Sequence, residues 1–460
     1  MKIMNPATGS LLREVNESTV SEIKNAHERA RAAQKIWSQT PVKDRLACIE
    51  KFDALLEQER ETLAAILTSE VGKPLRESMN ELNGARTRIR FFIDQSIGTL
   101  SPRNVREGAG MTETLAHDPL GVIANISAWN YPYLVGVNVF IPALIAGNGV
   151  LYKPSEYATL TGLEIERLLH KAGIPADLFT AVIGGPTVGE AVLDLPLDGY
   201  FFTGSYKTGK HIAERVASKL VPIGLELGGK DPLYVTDEIV DVKKTANAVA
   251  EGCFYNNGQS CCAVERVYVH EKIYDEFIRH FRDETLALKP GDPTKSEFQQ
   301  GILTRPAQAA FLKNQIEDAL QKGATLLAGG KALDASGNPT HVGAFFEPTA
   351  LINVTHEMLV MREESFGPII GVMKVRNDDE AIRLMNDTEY GLTASVYSSN
   401  LERAKSILAQ VDSGTSYVNC CDRVSPYLPW AGRKHSGLGA TLSTLGILAF
   451  SRPRGWHIRS

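Results

Sequence analysis

The chain has 460 residues, 43% hydrophobic and 22% charged, with a formal net charge of −5. That length supplies two or three cores of ordinary size; the acidic balance speaks against nucleic-acid binding, and no apolar run is long enough to span a membrane. The stretch Met1–Pro6 lacks the apolar core of a secretory signal, so a cytoplasmic enzyme is the expectation.

Hydrophobic spacing predicts amphipathic helices over 19–37 and 43–70. Val20, Ile23, Ala26, Ala30, Ala33 and Trp37 share a face of the first; Leu46, Ile49, Leu56, Leu63 and Leu67 share a face of the second, which Gly72-Lys73-Pro74 stops. From 121 onward, strands at 121–127, 150–152, 178–183, 200–202 and 222–227 alternate with helices at 134–146, 158–171, 186–193 and 206–219. Such βαβ units predict a doubly wound, Rossmann-like parallel sheet with helices on both faces. Sheets of this kind take ligands at the carboxyl ends of their strands. Trp129-Asn130, Lys153-Pro154-Ser155-Glu156, Thr203-Gly204-Ser205 and Glu226 fall at those ends. A second alternation from 231 to about 435 predicts another α/β domain. Its strands are expected at 266–270, 325–328, 393–397 and 416–418, and its helices at 273–287, 306–322, 378–386 and 401–410. No low-complexity linker or short repeat interrupts the chain.

Six cysteines in a chain this long are too few for a disulfide scaffold and fit a reducing compartment. The pairs Cys261-Cys262 and Cys420-Cys421 are adjacent rather than spaced like zinc ligands, and no metal site is expected. Cys48, Cys253, Cys420 and Cys421 read as small buried hydrophobes. Cys261 differs. It lies in Asn257-Gly258-Gln259-Ser260-Cys261-Cys262, framed by a glycine and amides with Arg266 nearby, a setting for a thiol that reacts. Thirty-five residues earlier, Glu226 ends an apolar run in Leu225-Glu226-Leu227-Gly228-Gly229-Lys230. A thiol and a carboxylate base suffice for acyl chemistry through a thioester.

Gly204–His211 matches the phosphate-binding pattern GxxxxGK[ST] at every position but the last, where His211 replaces the hydroxyl that holds magnesium. Phosphate binding at a helix N-terminus is therefore expected, and nucleotide triphosphate hydrolysis is not. No GxGxxG fingerprint and no HExxH is present, so a dinucleotide would need an unusual binding mode.

Together these motifs resemble the aldehyde dehydrogenase superfamily. The likeness runs from Asn5-Pro6-Ala7-Thr8-Gly9 to Lys434-His435-Ser436-Gly437, through Trp129-Asn130-Tyr131-Pro132, Lys153-Pro154-Ser155-Glu156, Phe202-Thr203-Gly204-Ser205, Glu226–Lys230, Gly258-Gln259-Ser260-Cys261, Glu364-Ser365-Phe366-Gly367-Pro368 and Tyr417-Val418-Asn419. It implies NAD(P)-dependent oxidation of an aldehyde, with Cys261 as nucleophile, Asn130 as oxyanion donor and Glu226 as base. By the same resemblance Lys153 and Glu156 hold the adenine ribose, Ser205 meets the pyrophosphate, Trp129 lines the groove, Glu364 binds the nicotinamide ribose and Phe366 packs near the ring; Gly204 and Leu227 are further cofactor-binding residues. A carboxylate at 156 opposes the 2′-phosphate of NADP, so NAD is favoured over NADP. Tyr131, Val135 and Tyr427 are the expected substrate-pocket residues.

The resemblance further implies an NAD-binding domain from 1–102 and 121–228, a catalytic domain from 229–436, and a small β oligomerisation element from 103–120 and 445–460. A homodimer or a dimer of dimers follows from that element. Many relatives carry Lys nine residues after the Asn and Glu shortly after the C-terminal Ser-Gly; Val139 and Thr441 stand here, so a usual proton relay is missing. Succinic semialdehyde is an alternative substrate, which needs a cation for its distal carboxylate; Arg423, beside Tyr427, is the candidate. The glutamate base argues against a CoA-acylating enzyme, and the intact Cys261 and Glu226 argue against a silent NAD-binding structural protein.

Overall fold

The computed structural model describes residues 1–334, 336–340 and 345–459. Residues 335 and 341–344 of the expected catalytic domain, and 460 of the oligomerisation element, lie outside them. Four helices, Val20–Gln39, Val42–Gln58, Arg60–Val71 and Leu75–Leu100, precede the first large sheet. Thr19 starts the first with a capping box: its hydroxyl accepts the Glu22 N–H while Glu22 reaches back to the Thr19 N–H.

The first large sheet has six strands, in the order Gly437–Leu438, Ile223–Glu226, Gly199–Thr203, Val122–Ile126, Gly149–Lys153, Phe179–Ala181. Five are parallel and the 437–438 edge is antiparallel. The central strands are buried along their whole length and mostly apolar because both faces are covered. On one face Ile123, Tyr152 and Phe179 pack with helices 42–58, 75–100 and Pro132–Ala146; on the other Val122, Leu151 and Tyr200 pack with Ile23 and Ala30.

A seven-stranded sheet follows, ordered Thr325–Ala328, Thr349–Ile352, Ile369–Val375, Val264–His270, Asp231–Val235, Thr393–Tyr397, Thr415–Val418, parallel except for its first strand. A third sheet is a three-stranded antiparallel ribbon, Ser451–Arg459 on Met111–Pro119 on Arg103–Gly108.

Two helical readings change. The helix expected over 43–70 is two helices, parted at Glu59 (φ −103°, ψ 11°). Leu56 and Leu63 remain seven residues apart across the break, so hydrophobic spacing does not reveal it. Glu59 turns its carboxylate to Arg167 and Lys171 instead. The longest helix, 75–100, was not expected. Its buried stripe, Ser78, Leu82, Ala85, Ile89, Phe92 and Ser96, has helical spacing but is diluted by Ser, Gly and charge. That helix supplies part of the site described next.

Candidate active site

Two cavities meet at one residue. The larger, about 780 Å³, opens at the carboxyl ends of the six-stranded sheet; Trp129, Asn130, Lys153, Glu156, Gly204, Ser205, Glu226, Leu227, Glu364 and Phe366 all line it. The smaller, about 490 Å³, lies between helices 75–100 and 132–146 and the loop 422–430, and both Tyr131 and Val135 line it. Among the described residues Cys261 alone lines both.

The loop that carries Cys261 is bent by three successive left-handed residues, Asn256 (φ 50°), Asn257 (φ 56°) and Gly258 (φ 65°). A side chain at 258 would strike the Gly367 carbonyl. Non-glycine residues in this region cost about 1–3 kcal/mol each, and the surroundings must hold them. The Asn256 N–H donates to Glu77 Oε2 at 3.0 Å. Gln259 donates to the Ile302 carbonyl at 3.1 Å and accepts the Thr304 N–H at 3.0 Å. Asn130 is tied to the same loop. Its Nδ2 donates to the Gln259 carbonyl at 3.1 Å, and its own carbonyl accepts Lys73 Nζ at 2.5 Å. Lys73 is fully buried and paired with Glu81 at 2.6 Å. A buried ion pair thus sets the backbone of the expected oxyanion donor.

Glu226 ends strand 223–226 with one oxygen accepting the Thr441 hydroxyl at 3.1 Å and the other buried without a partner. Burial pushes its carboxyl up to about 8, with the Thr441 hydrogen bond and the Arg88 charge pulling the other way. Thr441 therefore touches the expected base from the position where many relatives carry Glu. Val139 is buried among apolar side chains.

The remaining residues of the larger cavity are held equally firmly. Glu364 accepts the Gly229 N–H at 3.1 Å, and burial beside Glu265 pushes it up to about 8. Phe366 has φ +47°; its N–H and that of Ser365 both donate to Glu265, which is paired with buried Lys230 at 2.6 Å. The Phe366 ring meets Trp129 edge-on at 5.5 Å. Lys153 Nζ lies 3.9 Å from Glu156, and burial holds the ammonium below its usual range. Ser205 caps helix Tyr206–Val216, while His211 is bound to Glu190 at 2.7 Å. An ammonium beside a carboxylate, a helix N-terminus, a second carboxylate and a flat ring are hydroxyl-, phosphate- and ring-binding groups, and this donor set fits a nicotinamide dinucleotide.

Cys262 is buried, with its thiol 2.9 Å from Asp422 Oδ1. The neighbouring Cys261, burial and Asp422 hold that thiol well above the usual range, so Cys262 is poorly suited to attack. Tyr427 does not line the substrate-side cavity. It is 68% exposed, and its ring packs on Phe91 at 5.0 Å, because Pro426 rather than Tyr427 turns inward. Arg423 does line that cavity, but its side chain is 68% exposed and 3.8 Å from Glu251. Lys73, Glu81 and Arg88 were not singled out from the sequence. Gly72-Lys73-Pro74 reads there only as a helix stop, and Arg88 is one of several charges on a helix that went unpredicted.

The aldehyde dehydrogenase family pattern matches residues 1–454. A succinate-semialdehyde dehydrogenase [NADP(+)] of Deinococcus radiodurans is 36% identical over 452 residues, covering 98% of this chain and 93% of that protein. The crystal structure of the aldehyde dehydrogenase KauB from Pseudomonas aeruginosa superposes with a TM-score of 0.96 at 31% identity, covering 100% of this chain and 93% of that one. An indole-3-acetaldehyde dehydrogenase complexed with NAD+ does so with a TM-score of 0.96 at 30% identity and the same coverage. The chain belongs to the aldehyde dehydrogenase family, the NAD(P)-dependent oxidoreductases that turn aldehydes into acids. Among the described residues no helix is long and apolar enough to cross a membrane.

Proposed function

We propose that this protein oxidises a short aldehyde, succinic semialdehyde first among the candidates, to its carboxylic acid through a thioester on Cys261. The observation that carries the chemistry is that Cys261 alone lines both cavities, so a group attached to its sulfur faces cofactor on one side and substrate pocket on the other. The name of the Deinococcus radiodurans relative supports the choice of substrate.

Cys261 Sγ attacks the aldehyde carbonyl, and Asn130 Nδ2 with the Cys261 N–H takes the developing oxyanion. Removing one such donor typically costs about 3–4 kcal/mol. The nicotinamide cofactor, when bound, supplies the hydride acceptor that turns the thiohemiacetal into a thioester. Glu226 then takes a proton from water as its oxygen adds to the thioester carbonyl; the acid leaves and the thiol is restored. Lys153 and Glu156 would hold the adenine ribose of the cofactor, Gly204 and Ser205 its pyrophosphate and Glu364 its nicotinamide ribose, with Trp129, Leu227 and Phe366 as the apolar lining of the same cavity. The Glu156 carboxylate repels a 2′-phosphate and favours NAD; the NADP(+) in the relative's name supports a second reading in which both cofactors are accepted.

A panel of succinic semialdehyde, butanal and benzaldehyde with NAD and with NADP tests these statements together. Oxidation of succinic semialdehyde at the highest kcat/KM is the expected result. Oxidation of none would overturn the reading, and a preference for benzaldehyde would overturn the substrate. Residues 1–102 and 121–228 form the cofactor domain in this reading and 229–436 the catalytic one. Strand Ser451–Arg459 has one edge unpaired among the described residues, with Trp456 and Ile458 exposed. Such an edge is a template for a second chain, and we assign it to a homodimer or a dimer of dimers. A clean monomer in sedimentation would contradict that. The six free thiols suit a reducing, cytoplasmic setting.

A further inference from the structure

Two arginines are deeply buried in this protein, and they differ in how they are satisfied. Arg266, fully buried, spends its guanidinium on protein: Nε donates to the Lys230 carbonyl at 2.8 Å, Nη1 to Tyr268 and to the Leu384 carbonyl, and Nη2 to the Met385 carbonyl at 2.9 Å. Arg88, 8% exposed, uses only Nη1, which donates to the Leu134 carbonyl at 3.0 Å and to Asn138 Oδ1 at 3.1 Å. Among the described residues its Nε and Nη2 have no hydrogen-bond partner. Among the described residues no carboxylate stands within 4.0 Å of it. The neighbouring Arg86 and Arg90 on the same helix do have one, reaching Asp53 at 2.8 and 3.3 Å.

Arg88 lines the smaller cavity, as Cys261 does, and only its Nη1 is engaged by the described protein. Burial lowers its guanidinium only to about 10, so it stays charged at neutral pH. The acids that share the cavity are otherwise engaged. Glu81 holds Lys73 at 2.6 Å and accepts the Tyr133 N–H at 2.8 Å. Asp422 receives the Cys262 thiol, and burial pushes it up to about 6. A buried guanidinium left without a counter-ion is expensive unless a ligand brings one. The Nε–Nη2 edge presents two parallel N–H groups, the geometry that matches a carboxylate bidentately. A cavity of about 490 Å³ has ample room for a small aldehyde together with its distal carboxylate.

We propose that Arg88 is the specificity-determining residue of this enzyme: its free Nε–Nη2 edge receives a carboxylate at the far end of the aldehyde whose carbonyl meets Cys261. This rests on the reading of Cys261 as the nucleophile of aldehyde oxidation. It replaces Arg423, exposed near Glu251, as the cation of the pocket.

The test compares succinic semialdehyde with butanal, which has the same four-carbon chain without the charge. For Arg88→Gln the ratio of kcat/KM for succinic semialdehyde to that for butanal falls roughly 10²-fold or more, the loss of two charge-assisted hydrogen bonds, and most of the change is in KM. Arg88→Lys, which keeps the charge without the fork, recovers part of it. Equal losses on both substrates would mark Arg88 as merely structural and overturn the proposal. A second arm needs no variant. With the native enzyme, succinate competes with butanal whereas butyramide does not; equal inhibition by the two would also overturn it. A native enzyme that oxidises butanal without preferring succinic semialdehyde refutes the Arg88 assignment and the choice of substrate but leaves aldehyde oxidation through Cys261 standing, whereas one that oxidises neither refutes the function on which the assignment rests.

Discussion

The two sides of Cys261 are built differently. The larger cavity is assembled from short contiguous motifs: Trp129-Asn130, Lys153–Glu156, Gly204-Ser205 and Glu226–Gly228 end or follow strands, and Glu364–Phe366 lies in the loop before strand 369–375. The smaller cavity is assembled from residues far apart in the chain, Arg88, Tyr131, Val135, Asp422 and Pro426, on two helices and a loop. Parallel sheets gather backbone ends at one edge, so a dinucleotide can be bound by local turns. A small aldehyde must be enclosed by side chains, and enclosure depends on how helices pack. The difference teaches that the shared chemistry resides on the sheet side of the nucleophile and the substrate choice on the helix side.

Substitutions can break or sharpen that contrast. Cys261→Ala removes the one residue common to both cavities, and turnover should fall by at least about 10⁴-fold. Cys262→Ala, by contrast, should keep activity within about tenfold because that thiol is buried against Asp422. Steady-state rates on one aldehyde separate the two, and the reverse order would reassign the nucleophile. Asn130→Ala should lower kcat by about 10²–10³-fold while cofactor binding, followed by fluorescence, changes little.

The third prediction concerns pH. A carboxyl raised to about 8 by burial is neutral below that pH and can act as base only above it, so kcat should climb as pH rises through about 8. The Thr441 hydroxyl pulls this value down, and Thr441→Val should move the rising limb upward by about one pH unit, with kcat at pH 7 about tenfold lower. An unmoved limb would show that Thr441 does not position Glu226. The smallest effect is expected on the surface. Tyr427→Ala, which removes an exposed ring packed on Phe91, should change kcat/KM by less than about threefold.

How much could be read in advance follows the same division. The strands at 122–126, 149–153 and 199–203 are legible because burial on both faces makes them mostly apolar runs between turn residues, and 223–226 because Ile223 and Leu225 stand in a short run before Glu226. Cys261, Glu226 and Asn130 are legible because each lies in a short motif. Arg88 is not, since its meaning comes from facing a cavity across from Cys261, and a helix written as Arg86-Thr87-Arg88-Ile89-Arg90 gives no sign of which arginine turns inward. Lys73 was hidden for a related reason: its partner Glu81 is one helical turn pair away, but the Asn130 carbonyl that it holds is 57 residues on. Tyr427 misled because an aromatic beside Pro426 reads as pocket wall, whereas the loop turns it to solvent. Strand 231–235 is harder to read because it opens with Asp231-Pro232, residue types depleted in strands.

Glu226→Gln, mixed rapidly with aldehyde and NAD, tests the division of labour between Cys261 and Glu226 most directly. Attack by Cys261 does not need the base that hydrolyses the thioester, so a single burst of reduced nicotinamide, near one equivalent per active site, should appear and then stall. Sustained turnover at the native rate would show that Glu226 is not the base, and the absence of any burst would show that acylation of Cys261 depends on it as well.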